Sequence, residues 1–267
     1  MVLVPEGAYA VVTGASSGIG EAIARNLARR RVPQVLVARS SEKLKALAAE
    51  LSKLSGMDTR ALSLDLVLPE SPERLFSETE GKGLRVGFLV NNAGFGLNAE
   101  FVETPINRTL EMLDLNVRSL TTLTHLFLRP MKDRREGAIL NVASTASFVP
   151  GPYFAAYSAS KAYVRSFSHG LAHEARPYGV TVSVLCPGYT NTNFNVVAGM
   201  KDKAGGLLPR QDPDRVAEIG LRAVERGKPV RITNPLDFLW ISSLRFVPAS
   251  FPPAIAAFLF KTIQRKV

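Results

Sequence analysis

Short apolar runs alternate along the chain with longer segments whose apolar residues recur every three or four positions. The runs predict strands at Tyr9–Thr13, Gln34–Ala38, Thr59–Leu64, Val86–Val90, Ala138–Val142, Thr181–Leu185 and Val230–Thr233. The longer segments predict helices at Gly18–Arg31, Ser41–Ser55, Asn107–Met131, Ala155–Arg176 and Pro213–Arg226. In the first of these, Ile19, Ile23, Leu27 and Ala28 share one face, the spacing of a helix laid on a sheet. Strand and helix alternating at this rhythm imply βαβ crossovers and a mostly parallel sheet covered on both faces. Such sheets bind ligands at the carboxyl ends of their strands, so function is expected in the loops that follow strands. The pattern contains no internal repeat and no low-complexity segment.

The last stretch breaks the rhythm. From Asn234 to Val267 the chain is apolar and aromatic (Phe238, Leu239, Trp240, Phe246, Phe251, Phe258, Phe260), interrupted by Asp237, Arg245, Pro248, Pro252 and Pro253. The expected division is one domain over 1–233 and a helical extension over 234–267. That extension would pack on the domain, sit at a subunit interface, or dock on a membrane surface with Arg245, Lys261, Arg265 and Lys266 facing anionic headgroups.

Composition narrows the classes. With 267 residues, 46% of them apolar and 21% charged, the chain can build a substantial core. Lys and Arg number 33 against 23 Asp and Glu, a net charge of +10. The basic clusters (29–31, 129–135, 261–266) are scattered, without aromatic interleaving or zinc-finger spacing, so no nucleic-acid partner is expected. A single cysteine, Cys186, excludes an intrachain disulfide and a cysteine metal site. Residues 1–6 lack the pattern of a signal peptide, and Gly14 ends the apolar run 8–13 far short of a membrane span. The expectation is a cytoplasmic protein, membrane-associated if the tail docks.

Candidate chemistry begins after the first strand, at Thr13-Gly14-Ala15-Ser16-Ser17-Gly18-Ile19-Gly20, which leads straight into a helix. Glycines permit a tight turn and a close approach of phosphate to backbone, and the helix start offers unpaired N–H groups. Gly14, Ser16, Ser17, Gly18, Ile19 and Gly20 are therefore candidate cofactor contacts. Roughly 20 residues on, the second strand ends in Arg39, where an acidic residue would accept the adenosine ribose hydroxyls. Arg39 instead suits a 2′-phosphate, which favours NADP(H) over NAD(H), the latter remaining possible. Asp65 and Leu66, at the end of the third strand, are candidate adenine contacts, with Asp65 equally readable as a helix cap. In Asn91-Asn92-Ala93-Gly94, the small residues Ala93 and Gly94 allow a cofactor to pass closely.

Further along, Ser144 follows a strand, and Tyr157 and Lys161 stand four apart in Tyr157-Ser158-Ala159-Ser160-Lys161. That spacing puts both side chains on one helical face. A tyrosine near pKa 10 is a poor proton-transfer group at neutrality, and an ammonium nearby is expected to lower that value. Ser144 would polarise a substrate oxygen. Phe95, Phe148, Tyr153, Tyr189 and Phe194 are candidates for an apolar substrate pocket or for ordinary core. The stretch 189–208 is expected to form a lid.

Together these residues resemble the short-chain dehydrogenase/reductase family: TGASSGIG at 13–20, NNAG at 91–94, Asn116 in Leu115-Asn116-Val117, Ser144, YSASK at 157–161 and Pro187-Gly188. The resemblance covers residues 8 to 233. It implies a Rossmann-like, doubly wound α/β fold with a seven-stranded parallel sheet, and a nicotinamide cofactor. It also implies that Tyr157 is the general acid or base, that Lys161 lowers its pKa and binds the nicotinamide ribose, that Ser144 orients the substrate oxygen and that Asn116 supports a water-linked relay. By the same resemblance Asn91 lies beside the cofactor, and Pro187, Gly188, Thr190 and Thr192 border its nicotinamide end.

The expected reaction is hydride transfer between a nicotinamide and a small-molecule carbonyl or alcohol, by a homo-oligomer (dimer or tetramer). The alternative is a nucleotide-sensing protein on the same fold, docking by its tail. His169 and His173, four apart, lack the glutamate of a zinc protease, since Gly170 stands between them, and no metal site is expected.

Overall fold

The computed structural model describes residues 3–200, 210–246 and 257. Seven strands form one sheet: β1 Tyr9–Thr13, β2 Gln34–Ala38, β3 Thr59–Ser63, β4 Val86–Asn91, β5 Gly137–Val142, β6 Val180–Cys186 and β7 Val230–Ile232. Their order is β3-β2-β1-β4-β5-β6-β7, and every neighbouring pair is parallel. The chain builds outward from β1 to β3, then returns to the other side of β1 for β4 and continues to β7. The reversal opens a crevice between the carboxyl ends of β1 and β4, where such sheets take ligands.

The helices are α1 Gly18–Arg29, α2 Ser41–Ser55, α3 Ser71–Glu78, α4 Ile106–Leu113, α5 Leu120–Arg134, α6 Ala155–Ala175, α7 Phe194–Val197, α8 Pro213–Glu225 and α9 Pro235–Ser243. Period-two alternation divides the strand residues between two faces. Val12, Leu36, Phe88 and Leu140 meet Ile23, Leu27, Leu44, Leu51, Leu221 and Val224 of α1, α2 and α8. Val11, Val35, Val37, Leu89 and Ile139 meet Leu75, Leu123, Phe127 and Met131 of α3 and α5. Central strands buried on both faces explain the nearly unbroken apolar runs in the sequence.

The expected strands agree with these bounds to within one residue. The expected helix over 107–131 is three pieces: α4, a π-helical turn over Asp114–Ser119, and α5, which continues past Pro130 to Arg134. α3 was not expected. In the tail, Asn234 caps α9 by accepting from the Leu236 amide at 3.0 Å, with Pro235 in the first turn. The lid positions 201–209 and the tail positions 247–256 and 258–267 lie outside the described residues.

Candidate active site

Two loops at the crevice are braced by a threonine and an asparagine. Thr13 Oγ1 donates to the Val90 carbonyl (3.1 Å) and accepts from the amides of Asn92 (3.0 Å) and Ala93 (3.1 Å). Asn92 Nδ2 returns to the carbonyls of Thr13 (2.9 Å) and Gly14 (3.2 Å). Gly14 and Gly18 have φ of +66° and +59°, the left-handed region that glycine alone occupies freely. A Cβ on Gly14 would stand 2.8 Å from Asn92 Nδ2, and one on Gly18 would stand 3.0 Å from Thr192 Cγ2. Loop β6–α7 thus reaches over the glycine turn at Thr192.

Ser16 and Ile19 lie in the same turn. Ser17 is the residue before α1, and its side chain is not used to cap that helix. The donor set at this helix start suits a pyrophosphate. At the end of β2, Arg39 is exposed and no carboxylate lies within ion-pair distance of it among the described residues. A dinucleotide bearing a 2′-phosphate fits this arrangement of close backbone, free amides and unpaired guanidinium.

Three residues on this side of the site have side chains engaged by the protein itself. Asp65 Oδ1 accepts from the Val67 amide at 3.1 Å, so it caps its own turn. The Leu66 side chain is buried among the core residues under β2 and β4, leaving only its backbone for an adenine. Asn91 also turns inward: its Nδ2 donates to Thr124 Oγ1 (3.0 Å) and Asn141 Oδ1 (2.9 Å), and Asn141 continues to Ser168 Oγ (2.9 Å). The asparagine that shapes the loop is Asn92, one position on, because successive strand residues face opposite ways.

Ser144, Tyr157, Lys161 and Asn116 come together beyond β5. Tyr157 is buried in an apolar cluster with Phe154, Phe194, Met112, Ala198 and Met200. Its ring lies 4.4 Å from that of Phe154 and 5.4 Å from that of Phe194. Burial pushes the Tyr157 phenol well above its ordinary range, and a hydrogen bond with Ser144 pulls it partly back. Lys161 does not lower Tyr157 here. Its ammonium is 5.9 Å from the ring centroid and donates to the Val142 carbonyl at 2.9 Å. Burial brings Lys161 down to about 8, with Cys186 acting weakly the other way. Desolvation of both groups outweighs the attraction expected from their spacing.

Asn116 lies in the π-helical turn, a backbone form that recurs at functional sites. Its Nδ2 donates to the Phe95 carbonyl (2.9 Å) and Ser160 Oγ (3.1 Å), while Oδ1 accepts from the Phe95 amide (3.2 Å). Ser160 Oγ donates on to the Tyr157 carbonyl at 2.7 Å. A Cβ on Gly94 would stand 2.7 Å from Asn116 Oδ1 and 3.3 Å from Lys161 Nζ, so glycine lets the loop pass between them. Ala93 is partly buried against the core cluster of Val11, Leu89 and Ile139.

Of the aromatic candidates, Phe95 and Phe194 join the Tyr157 cluster. Tyr153 has φ of +62° and accepts the Ala99 amide at 2.9 Å, which folds the 95–99 loop against α6. The Tyr189 hydroxyl accepts from Asn195 Nδ2 at 2.7 Å. Phe148 is not brought to the pocket: it packs on Leu120, Val164 and Cys186, under the Arg165 guanidinium.

Past β6, Pro187 accepts the Thr145 amide (2.8 Å), and Thr190 Oγ1 donates to the Gly188 carbonyl (3.0 Å). A Cβ on Gly188 would overlap Asp237 Oδ2 and come within 2.8 Å of Gln211 Nε2. Asp237, read from sequence as an interruption of the apolar tail, is buried, and burial raises its carboxyl above the ordinary range. Sequence reasoning missed Thr13, Asn92, Ser160 and Asp237. Polar residues inside apolar runs were the available signal for the first and last.

The profile of the family described as short chain dehydrogenase matches residues 8–202. The chain is 38% identical over 197 residues to a very-long-chain 3-oxoacyl-CoA reductase of Anas platyrhynchos, covering 72% of this chain and 62% of that protein. It is 34% identical over 206 residues to the 17-beta-hydroxysteroid dehydrogenase type 3 of Homo sapiens, covering 74% and 66%. The chain therefore spans less than two thirds of the length of these relatives. A short-chain dehydrogenase from Sphingobium yanoikuyae, solved in complex with NADPH, superposes with a TM-score of 0.81 at 31% identity, over 90% of this chain and 94% of that one. With the family profile matched over residues 8–202, relatives more than 30% identical and this fold, the chain belongs to the short-chain dehydrogenase family.

Proposed function

We propose that the protein is an NADP(H)-dependent oxidoreductase acting on the carbonyl or alcohol carbon of a mainly apolar substrate. A bound nicotinamide dinucleotide supplies or accepts the hydride. The chain's own residues bind, orient and move the proton. Gly14 to Gly20 and the start of α1 hold the pyrophosphate, and Arg39 holds the 2′-phosphate. Asp65, by its remaining oxygen, and the Leu66 backbone border the adenine, while Pro187, Gly188, Thr190 and Thr192 close the opposite end.

Tyr157 gives its proton to the substrate oxygen in reduction, and Ser144 donates a hydrogen bond to that oxygen. Lys161 binds the nicotinamide ribose. With both Asn116 donors spent on Phe95 and Ser160, only Oδ1 is left for a water-linked relay to Lys161. The observation that carries this reading is the buried Tyr157 phenol, with Ser144 the side chain that draws it down and Lys161 one helical turn on, set among apolar residues. A phenol kept protonated by burial suits ketone reduction better than alcohol oxidation.

The apolar residues packed around Tyr157, among them Phe154, Phe194, Met112 and Met200, favour an apolar ketone beside it. Relatives whose names speak of very-long-chain 3-oxoacyl-CoA and of hydroxysteroids support the same class. The test is NADPH consumption over ketones on long acyl thioesters, on steroid nuclei and on small hydroxyacid skeletons, with NADH alongside and Tyr157→Phe as the control. Turnover on the bulky ketones, lost in Tyr157→Phe with NADPH affinity intact, is expected. Turnover in Tyr157→Phe near that of the wild type would overturn the mechanism, and silence with no NADPH binding would overturn the reading.

A further inference from the structure

We propose that the outer face of α9 docks on an anionic lipid surface. α9 buries only Asp237 and Ile241, four residues apart, against the domain. Its contacts there are with β7, with the turn 145–148 next to Ser144, and with Gly188. The remaining face is apolar and exposed: Leu236, Phe238, Leu239 and Trp240, followed by Phe246, which is 90% exposed. Five large apolar side chains exposed within residues 236–246 are the reverse of an ordinary surface helix, which turns polar residues outward.

Charge decides what covers this face. Arg226, Lys228 and Arg231, just before α9, are exposed, and Arg245 follows it in sequence. From 226 to 246 the sole carboxylate is Asp237, turned inward, and the neighbouring Glu225 is held by Arg30 at 2.5 Å. The remaining sequence to Val267 adds Lys261, Arg265 and Lys266 and no acidic residue. A second copy meeting this face by two-fold symmetry would set cations against cations. An anionic lipid surface offers an apolar layer for the aromatic side chains and headgroup charge for the cations that flank α9 in sequence. Docked this way, α9 would hold the Gly188 side of the site close to the lipid.

Trp240 is the protein's single tryptophan, so its emission reports the face directly. The experiment adds vesicles of phosphatidylglycerol or of phosphatidylcholine to the whole chain without nucleotide or substrate, and follows Trp240 emission, its shielding from acrylamide, and co-sedimentation. Phosphatidylglycerol is expected to shift the emission to the blue and shield the ring, with little effect from phosphatidylcholine. Phe238→Ser with Leu239→Ser, both exposed, should weaken partitioning by about tenfold or more. Lys228→Glu with Arg231→Glu should weaken it by about fivefold per cation, and Tyr157→Phe should bind as the wild type does.

Three results would overturn the proposal. An emission unmoved by any vesicle while the ring stays open to acrylamide would remove the lipid contact. A blue-shifted, shielded emission in the free protein would mean that the chain's own residues or, where it depends on protein concentration, a second copy cover the face. Equal binding to both vesicle types would remove the anionic requirement. None of these readouts depends on turnover, so they separate this surface from the redox reading.

Discussion

Asn116 and Ser160 tie the π-helical turn to α6: the amide donates to the hydroxyl at 3.1 Å, and the hydroxyl donates to the Tyr157 carbonyl at 2.7 Å. Ser160 therefore acts through Tyr157 as a positioning residue. In Ser160→Ala the buried Asn116 N–H loses an acceptor, a cost of about 1–3 kcal/mol. The expected outcome is a kcat lowered about tenfold, with the KM for NADPH little changed. A lowered melting temperature with wild-type kcat would reduce the tie to a structural one.

Gly20 is required by contact rather than by conformation. A Cβ there would overlap the Gly14 carbonyl and Asn92 Nδ2, and the first of these is backbone that cannot step aside. Gly20→Ala should cost about 1–3 kcal/mol by overpacking, and it should open the phosphate turn as it does so. Thermal melts are expected to fall by about 2–4 °C for each kcal/mol, and NADPH affinity should fall in parallel. A variant that melts like the wild type and binds NADPH normally would show that the turn relaxes without help from Asn92.

Arg39 is exposed and unpaired among the described residues, so its replacement leaves the fold intact and changes only what it would hold. A charge-assisted hydrogen bond is worth about 1.5–3 kcal/mol, which is roughly tenfold to a hundredfold in affinity. Arg39→Ala should raise the KM for NADPH by that factor and leave the KM for NADH alone. Arg39→Asp should move the preference towards NADH. An unchanged ratio of kcat/KM for the two nucleotides in both variants would remove the 2′-phosphate role.

The sheet was legible because buried parallel strands are written as apolar runs, and the nearness of Tyr157 to Lys161 because they sit one helical turn apart. What the sequence hid depends on direction rather than identity. Asn91 and Asn92 are the same residue type side by side, and only the strand pleat decides that the first faces Thr124 and Asn141 while the second faces the glycine turn. The π-helical turn at Asp114–Ser119 shifts the register of a segment whose apolar spacing reads as one continuous helix. Phe148 stands near Ser144 in sequence yet packs on Cys186, because the turn 145–148 carries it to the other side. Neither spacing nor resemblance encodes burial, which governs both Tyr157 and Lys161.

That burial makes stability depend on pH in a direction that can be worked out. The Lys161 ammonium is held at about 8 in the folded chain, below the ordinary lysine value of 10.5. Below pH 8 the folded protein bears the full cost of a buried charge. Between there and the unfolded value the unfolded chain binds more protons, so stability rises with pH. Tyr157 works the other way at higher pH: its unfolded phenol ionises above about 10 while the buried one stays protonated, so stability falls again. The gain is thus confined to roughly pH 8 to 10. Lys161→Met removes the buried charge along with the hydrogen bond to Val142, a loss of about 1 kcal/mol. Its melting temperature should be flatter than that of the wild type between about pH 7 and about pH 9.5, with the two curves closing as pH rises. Parallel curves across that window would show that Lys161 keeps its proton in the folded protein, held by a partner stronger than the Val142 carbonyl.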